Sequence, residues 1–268
     1  PHRIVGEESL SKLYRYTLDC LSVDTHLELK ELLGQPVEAA ILLPEGGQRL
    51  LTGLVTRAEQ AGADGGFAKY VLTIEPALAT LAYRRNSRVF QDKSVVDIVQ
   101  TILDEHGSSN PAFNKSFQHQ AELSETYPIR SYCLQYRETD LAFIQRLLAE
   151  EGISYRFTHG PDPKTSLKSS DDTNASRNTT SNESSDGQGT DTPLHTLILF
   201  DANHHLPENG QSLARFHRTD GIEADDAIDQ WTGSRQIHSS QTQLSSYDYK
   251  AVATHVGNED TRTQQSDP

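Results

Sequence analysis

The chain has 268 residues, of which 35% are hydrophobic, and a formal net charge of −14 at pH 7. This length and apolar content suffice for one large domain or for two to three small ones with real cores. Nucleic-acid binding and docking on anionic lipid both need clustered Lys and Arg, so the acidic balance argues against both partners. Three copies together would carry −42 (3 × −14), so an oligomer must offset self-repulsion by apolar burial or local charge pairing.

The sequence lacks the signals of membrane insertion and of a signal peptide. No run approaches the roughly 20 apolar residues of a membrane helix, and no basic start is followed by an apolar core. We therefore expect no stable membrane insertion. If the protein is exported, we expect a route that does not use a signal peptide. The sequence begins at Pro1, contains no Met and ends on a polar tail, so we expect it to be part of a longer protein.

Alternation of apolar and polar residues predicts a β-rich N-terminal part. From Tyr14 to Cys20 every second side chain is apolar, which is typical of a half-buried strand. Similar runs follow at 37–43, 49–59 and 67–75, and a turn-rich stretch separates the last two. These four runs predict an antiparallel meander. Aromatic residues in them, such as Tyr14 and Tyr16, are expected in the core of the chain, with a subunit interface as the alternative.

The first predicted helix covers residues 95–106, where apolar side chains recur at helical intervals. Ser94 is placed to cap its first turn together with Asp97, and Gly107 is placed to end its last turn.

A second helix is predicted to start after Thr139, a suitable N-cap, and to stop before Gly152. Its apolar stripe consists of Leu141, Ile144, Leu147 and Leu148. Strands are predicted on both sides of this helix, at 127–136 and 153–159. The first of them alternates through Tyr132, Leu134 and Tyr136.

The composition changes sharply between residues 161 and 193, where Ser, Thr, Asp and Asn dominate and large apolar residues are almost absent. Such a stretch cannot build a core, so it is either a disordered linker or a long loop insertion in a hairpin. Short strand candidates follow at 195–201, at 213–218 and within 227–249, which contains Trp231.

The sequence contains no GxSxG nucleophile elbow, no GxxxxGK[ST] phosphate loop and no HExxH zinc helix. We therefore assign no catalytic residue, no cofactor and no metal. The adjacent His204 and His205 would point to opposite faces of an extended chain, which disfavours a shared metal ion. Cys20 and Cys133 lie far apart in strand-like runs and are expected to be buried free thiols.

Three carboxylate pairs would be able to divide acid and base roles if their pKa values differed. They are Glu138 with Asp140, Glu150 with Glu151, and Asp225 with Asp226. Glu138 and Asp140 more simply place negative charge at a helix start, where an anion is stabilised by about 0.3 to 1 kcal/mol. A hydrolase that uses Glu138, Asp140 or Asp225 is the weaker functional alternative.

One segment carries a specific combination of motifs. Residues 127–157 contain YP, QY, an acidic-x-Asp helix start, an Arg-Leu pair and EEGI before an aromatic strand. With the weaker segments 6–19, 32–37 and 87–107 and others between 197 and 252, it resembles the VgrG family. These proteins are spike components of bacterial type VI secretion, and their N-terminal part is similar to the hub of contractile phage tails.

The resemblance implies a phage tail hub-like fold, which is β-rich α+β with two barrel-like antiparallel β domains and smaller α/β elements. The implied order is a first barrel-like domain at 1–90, an α/β element with two helices at 91–160, the linker or insertion at 161–193, completion of the second barrel-like domain at 194–256, and a polar tail at 257–268. An OB-fold and a needle are expected beyond these residues.

The resemblance also implies a structural role without catalysis. The chain would form a homotrimer, cap the hexameric Hcp tube, and carry the needle into target cells, with effectors or a PAAR-type tip bound through C-terminal parts outside these residues. It would assemble in the bacterial cytoplasm and then be secreted into the target cell or the medium. The main alternative is the hub of a contractile phage tail or a related injection system.

We predict that deletion of residues 165–190 leaves folding intact, because the tract has no core-forming side chains and loop entropy changes only logarithmically with length. Thermal melts of the deletion variant and the wild type, followed by circular dichroism, check this. Loss of soluble protein on deletion would show that the tract is structural.

Overall fold

The computed structural model describes residues 1–43, 47–64, 66–160, 195–208, 213–216, 227–228, 230–237, 239–248 and 250–260. The chain forms two compact units, Pro1–Pro207 and Glu208–Pro268. The tract 161–193 and the pair Asp225 and Asp226 lie outside the described residues. No helix among the described residues is long and apolar enough to cross a membrane.

The first unit begins with a five-stranded antiparallel sheet. Its strands are β1 (Arg3–Glu7), β2 (Arg15–Ser22), β3 (Pro36–Leu42), β4 (Gln48–Asp64) and β5 (Phe67–Glu75), in the order β1-β2-β5-β4-β3. A short helix, α1 (Leu29–Leu32), precedes β3. All four predicted strands are confirmed, whereas β1 was missed. The meander holds only for β3, β4 and β5, because β2 pairs with β5 and not with β3.

Helices and two small sheets complete the first unit. In chain order they are a 3-10 helix (Ala77–Tyr83), β6 (Arg85–Phe90), α2 (Val95–Ser109), α3 (Pro111–Ser116), β7 (Phe117–Glu122), β8 (Cys133–Thr139), α4 (Asp140–Glu150), β9 (Ser154–His159), β10 (His195–Phe200) and a 3-10 turn (Asn203–His205). β6 pairs with β8, and β10 lies between β7 and β9. β10 runs parallel to β7 and antiparallel to β9, so this small sheet is mixed.

The capping predicted for the two long helices is confirmed. At α2, the Ser94 hydroxyl accepts from the Asp97 backbone N–H at 3.2 Å, and the Asp97 carboxylate accepts from the Ser94 N–H at 3.0 Å. The predicted stop at Gly107 is wrong, because α2 continues to Ser109 and is followed by Asn110, whose side chain caps α3.

Helix α4 also follows the sequence pattern closely. The Thr139 hydroxyl accepts from the Ala142 N–H at 3.1 Å, and the chain turns after the helix at Gly152, which has φ of +71°. Leu147 and Leu148 are buried, as expected, and so is Phe143, which the predicted stripe omitted.

Two core clusters hold the first unit together. The five-stranded sheet buries Tyr14, Tyr16 and Leu18 on its inner face, which confirms the core assignment of Tyr14. A larger cluster joins the inner faces of α2, α3 and α4 to the 3-10 helix and the small sheets. Ile4 of β1 and Ile41 of β3 lie at opposite edges of the five-stranded sheet, yet both line the same open cavity of about 360 Å³. The sheet is therefore curled.

A chain of directional hydrogen bonds links β9 to the five-stranded sheet. The Thr52 backbone N–H donates to Nδ1 of His159 at 3.1 Å, so the ring proton of His159 lies on Nε2, which faces the Tyr16 hydroxyl at 3.2 Å. Tyr16 in turn donates to the carboxylate of Glu8 at 2.6 Å, and Arg49 binds the same carboxylate. Directional hydrogen bonds therefore fix strand β9 to β2 and β4, in addition to apolar contact.

The second unit contains a β-hairpin of β11 (Gln241–Asp248) and β12 (Ala253–Asp260). The strand predicted at 213–218 is wrong where the residues are described, because only Phe216 forms an isolated bridge, to Ile228. Both Leu213 and Phe216 are exposed, so the alternation in this run does not face a core. Trp231 is also exposed and lies outside any strand.

The two cysteines are free thiols. Cys133 is buried as predicted, and burial raises its pKa. Cys20 is half-buried, so full burial is wrong for this residue.

We predict an acid-sensitive contact at His195. Its Nε2 accepts from the Ala77 N–H at 3.0 Å, and burial, with a smaller effect of His159, lowers the pKa of His195 to about 3. As the pH falls, His195 is therefore protonated in the unfolded chain before it is protonated in the folded chain. The contribution of the neutral His195 ring to the free energy of unfolding is complete above about pH 6.5 and is lost as the pH falls towards 3.

His195→Gln keeps a side-chain acceptor and removes the titration. Between pH 7 and pH 4.5 the wild type should lose about 2 to 3 kcal/mol more stability than this variant. Urea unfolding of both proteins at the two pH values measures the difference, and parallel losses would contradict the assignment.

Candidate functional site: a buried carboxylate cluster and an exposed apolar face

Asp140, the first residue of α4, is fully buried and bound on all sides. Its carboxylate accepts hydrogen bonds from Arg84, from Gln135 at 2.8 Å, from His106 at 2.9 Å and from Asn86 at 3.2 Å. These four donors come from the residue before β6, from β8, from α2 and from β6 itself. One carboxylate thus connects α2, α4 and the β6–β8 sheet.

A second carboxylate balances the charge of this cluster. Glu105 of α2 binds Arg84 at 2.6 Å and Arg88 at 2.7 Å, so two guanidinium groups face two carboxylates. Burial would raise the pKa of Asp140, but the hydrogen bonds from Gln135, His106 and Arg84 outweigh it and hold that pKa below its usual value. Burial also lowers the pKa of His106, so its neutral ring donates from Nε2 to Asp140.

The other candidate carboxylates lie in a surface network of ion pairs. Arg146 binds Glu138 at 2.9 Å and Glu150 at 2.7 Å, while Arg130 binds Glu150 and Glu151. The hydrogen bond from Arg146 lowers the pKa of Glu138, and the two arginines lower the pKa of Glu150 against the effect of burial. A general acid needs a raised pKa. None of the carboxyls Glu138, Asp140 and Glu150 has one.

His204 and His205 lie in a 3-10 turn and not in extended chain. Their ring centroids are 4.1 Å apart, and Nε2 of each approaches the Ser124 hydroxyl, at 3.4 and 2.8 Å. The expectation that they point to opposite faces is therefore wrong, because the tight turn sets their directions. Among the described residues, no group of three or more His, Cys, Asp or Glu is arranged to hold a metal ion.

Ser124, His205 and Asp201 come together as a Ser, His and Asp group, which the sequence did not predict. The Asp201 carboxylate lies 3.5 Å from Nε2 of His205, the same nitrogen that contacts Ser124. A catalytic triad instead places the acid on the other ring nitrogen. Asp201 also accepts from the backbone N–H groups of Ser124 and Glu125, at 2.8 and 2.9 Å. Asp201, which follows β10, therefore holds the backbone of Ser124 and Glu125 in place and does not form a catalytic triad.

The outer face of the β6–β8 sheet is apolar and exposed. The inner face carries Phe90, Cys133 and Gln135, which are buried. The outer face consists of Val89, Tyr132, Leu134 and Tyr136, which are between 40% and 58% exposed, and we call these four residues the β6–β8 face. Val89 lies opposite Leu134 in register. The strand predicted at 127–136 thus exists as β8, but it starts at Cys133 and its aromatic side faces outward.

Arg137 is the extra residue of a β-bulge at one end of this face. The register of β6 and β8 shifts between Asn86 and Ser87, and Arg137 has φ of +51°. Its guanidinium carbon lies 5.3 Å from the centroid of the Tyr136 ring, and Nη1 of Arg85 donates to its carbonyl oxygen at 2.9 Å. The bulge therefore places Arg137 beside the Tyr136 ring and Arg85 beside the backbone of Arg137.

The sequence matches the phage tail baseplate hub (GPD) family over residues 7–268. The chain belongs to this family. It is similar to the type VI secretion system spike protein VgrG1c of Pseudomonas aeruginosa, with 29% identity over 256 residues, or 95% of this chain and 30% of that protein. Spike protein VgrG4b of the same organism is 42% identical over 157 residues, or 59% of this chain and 18% of that protein. The hub chain thus spans less than about a third of these relatives.

Among solved structures, the hub chain is similar to the E. coli c3393 protein. That protein is described as a component of the type VI secretion system with structural similarity to the T4 bacteriophage tail proteins gp27 and gp5. The TM-score is 0.56 at 21% identity, over 92% of this chain and 52% of that chain. The phage tail hub-like, β-rich fold and the resemblance to VgrG are both confirmed.

Asp140→Asn should destabilise the hub chain by about 3 kcal/mol, because it removes the buried negative charge and turns an amide N–H₂ towards donors that now bind a carboxylate, and it leaves Arg84 with Glu105 as its remaining ion-pair partner. Glu138→Gln, the control, removes an ion pair at the surface and should cost less than about 1 kcal/mol. Urea unfolding at pH 7 compares the two variants. Equal losses would mean that the buried cluster is not a special constraint.

Proposed function

We propose that the hub chain forms a homotrimer that caps the hexameric Hcp tube of a type VI secretion system and carries a needle and effectors into target cells. The observation that carries the proposal is the hub-family match over residues 7–268. Similarity to VgrG spike proteins in sequence supports the type VI system in particular.

The proposed role is mechanical and turns over no substrate. The candidate carboxylates Glu138, Asp140 and Glu150 are each held by arginine, and none has the raised pKa that acid catalysis requires. Such a network supports rigidity, which transmission of axial thrust needs. The hydrolase alternative gains no support from these contacts.

The symmetry of the assembly follows from two barrel-like domains per chain. The curled five-stranded sheet within residues 1–90 would be the first, and residues 194–256 would complete the second. Three chains would then present six such domains to a hexameric tube. The effectors or a PAAR-type tip would attach through C-terminal parts outside these residues, after assembly in the bacterial cytoplasm and before secretion into the target cell or the medium.

The hub of a contractile phage tail or a related injection system is the second candidate, because the matched family is that of phage baseplate hubs. It requires the same fold and symmetry with a different tube protein. Selectivity for the tube partner separates the two candidates.

Light scattering coupled to size exclusion, with and without Hcp, tests the proposal. We expect a mass close to three times 29.8 kDa and co-elution with the Hcp hexamer. A phage tail tube protein at the same concentration is the matched control. Binding to that protein and not to Hcp would favour the phage candidate, and binding to neither would contradict both.

A further inference from the structure

The β6–β8 face has the composition of a protein–protein interface. Two tyrosines, a leucine and a valine are exposed on it, and Arg85 and Arg137 border it. Interfaces are enriched in Tyr and Arg, and the residues that contribute most to binding are commonly of these two types. Tyr83, 82% exposed, lies two residues before the start of β6.

The bordering arginines differ from those inside the unit. Arg84, Arg88, Arg130 and Arg146 each form ion pairs with carboxylates. Within the part of the chain that the structure describes, Arg85 and Arg137 form none, although the chain carries a net charge of −14. An occupant of this face therefore has to supply carboxylates beside an apolar surface.

The same unit exposes carboxylates beside apolar side chains at one edge of its five-stranded sheet. Strand β3 is an edge strand, and Glu38 and Leu42 lie on one face of it, with Leu42 81% exposed. Glu31 and Leu33, at the end of α1, are exposed next to the start of this strand. We call these four residues the β3 edge. Lys30 is the one cation within α1, and neither Glu31 nor Glu38 has an ion-pair partner among the described residues.

We propose that the β6–β8 face of one copy packs against the β3 edge of a second copy. Packing of two β6–β8 faces on each other would bring arginines against arginines, so the contact must be head-to-tail. A head-to-tail contact repeats around a closed ring when the rotation between copies closes. The inference rests on the proposed homotrimer and assigns its contact surfaces. The two positive charges of Arg85 and Arg137 on one copy would lie opposite the two negative charges of Glu31 and Glu38 on the next. This attraction would offset part of the repulsion between the acidic chains.

The bulge at Arg137 provides a variant that does not threaten folding. A residue other than glycine is strained at a backbone φ near +51°, whereas glycine adopts this conformation freely. Arg137→Gly should therefore leave the melting temperature unchanged or raise it, while it removes one cation from the face. Weaker association without loss of stability is a result that a purely structural role of Arg137 does not predict.

Charge reversal tests the pairing of the two surfaces. The face variant carries Arg85→Glu and Arg137→Glu, the edge variant carries Glu31→Lys and Glu38→Lys, and the combined variant carries all four changes. Each reversal alone opposes like charges and should weaken association by at least about tenfold. In the combined variant every contact again joins opposite charges, so the trimer should return. Lys115→Glu, an exposed cation in α3 outside both surfaces, is the control and should leave association unchanged.

Light scattering across concentration reads the mass of each variant, and circular dichroism confirms that each is folded. The inference is overturned if the face and edge variants remain trimers, if the combined variant does not recover, or if the wild type stays a monomer. Binding of the same proteins to Hcp is measured in parallel. A wild type that forms a trimer and binds Hcp while the charge-reversal variants behave otherwise overturns the inference and leaves the proposed function standing, whereas a monomer that does not bind Hcp contradicts both.

Discussion

A single buried negative charge sets the arrangement of the α/β elements in the first unit. Burial of an ionised carboxylate is costly unless the charge is paired and its lone pairs accept hydrogen bonds. Asp140 meets this condition only where Arg84, Asn86, His106 and Gln135 converge. Apolar packing is non-directional and tolerates small shifts, whereas these bonds fix distances and angles. The carboxylate therefore specifies how α2 and α4 meet the β6–β8 sheet, and the surrounding leucines and phenylalanines fill the space that this geometry leaves.

The contact between β9 and the five-stranded sheet also combines apolar burial, which tolerates small shifts, with hydrogen bonds, which fix distances and angles. Phe157 of β9 packs against Tyr14 and Tyr16 in the apolar cluster of the five-stranded sheet. His159 adds direction, because the Thr52 N–H fixes which ring nitrogen carries the proton. His195 likewise accepts a backbone N–H, from Ala77, and burial also keeps its ring neutral, but its other ring nitrogen has no hydrogen-bond partner within the described part of the chain. Neighbouring histidines of one sheet thus take different parts in the fold, one as a relay of hydrogen bonds and the other as an uncharged core residue.

Local rules predicted most of the regular structure from the sequence. Alternation located β2 to β5, and capping residues located the starts of α2 and α4, because these signals depend on neighbours in the chain. β1, β6, β7 and β12 were missed because the alternation of apolar and polar residues in each is weak or interrupted. The parallel pairing of β7 with β10 depends on contacts between distant segments, which a local pattern does not contain. The outward direction of Tyr132, Leu134 and Tyr136 was missed for a related reason. Alternation identifies two faces, but only the packing of Phe90 and Cys133 shows which of them is inside.

The position of β10 has a mechanical consequence. All six of its residues are buried, and it is hydrogen-bonded along its whole length to β7 on one side and to β9 on the other. A load directed along this strand acts on both ladders in shear, so the hydrogen bonds resist together and do not open one after another as in peeling. Rupture would also have to expose the buried side chains of Leu197, Ile198 and Leu199 to water in the same event. The three-stranded sheet is consequently built to yield abruptly at a high force and to remain rigid below it.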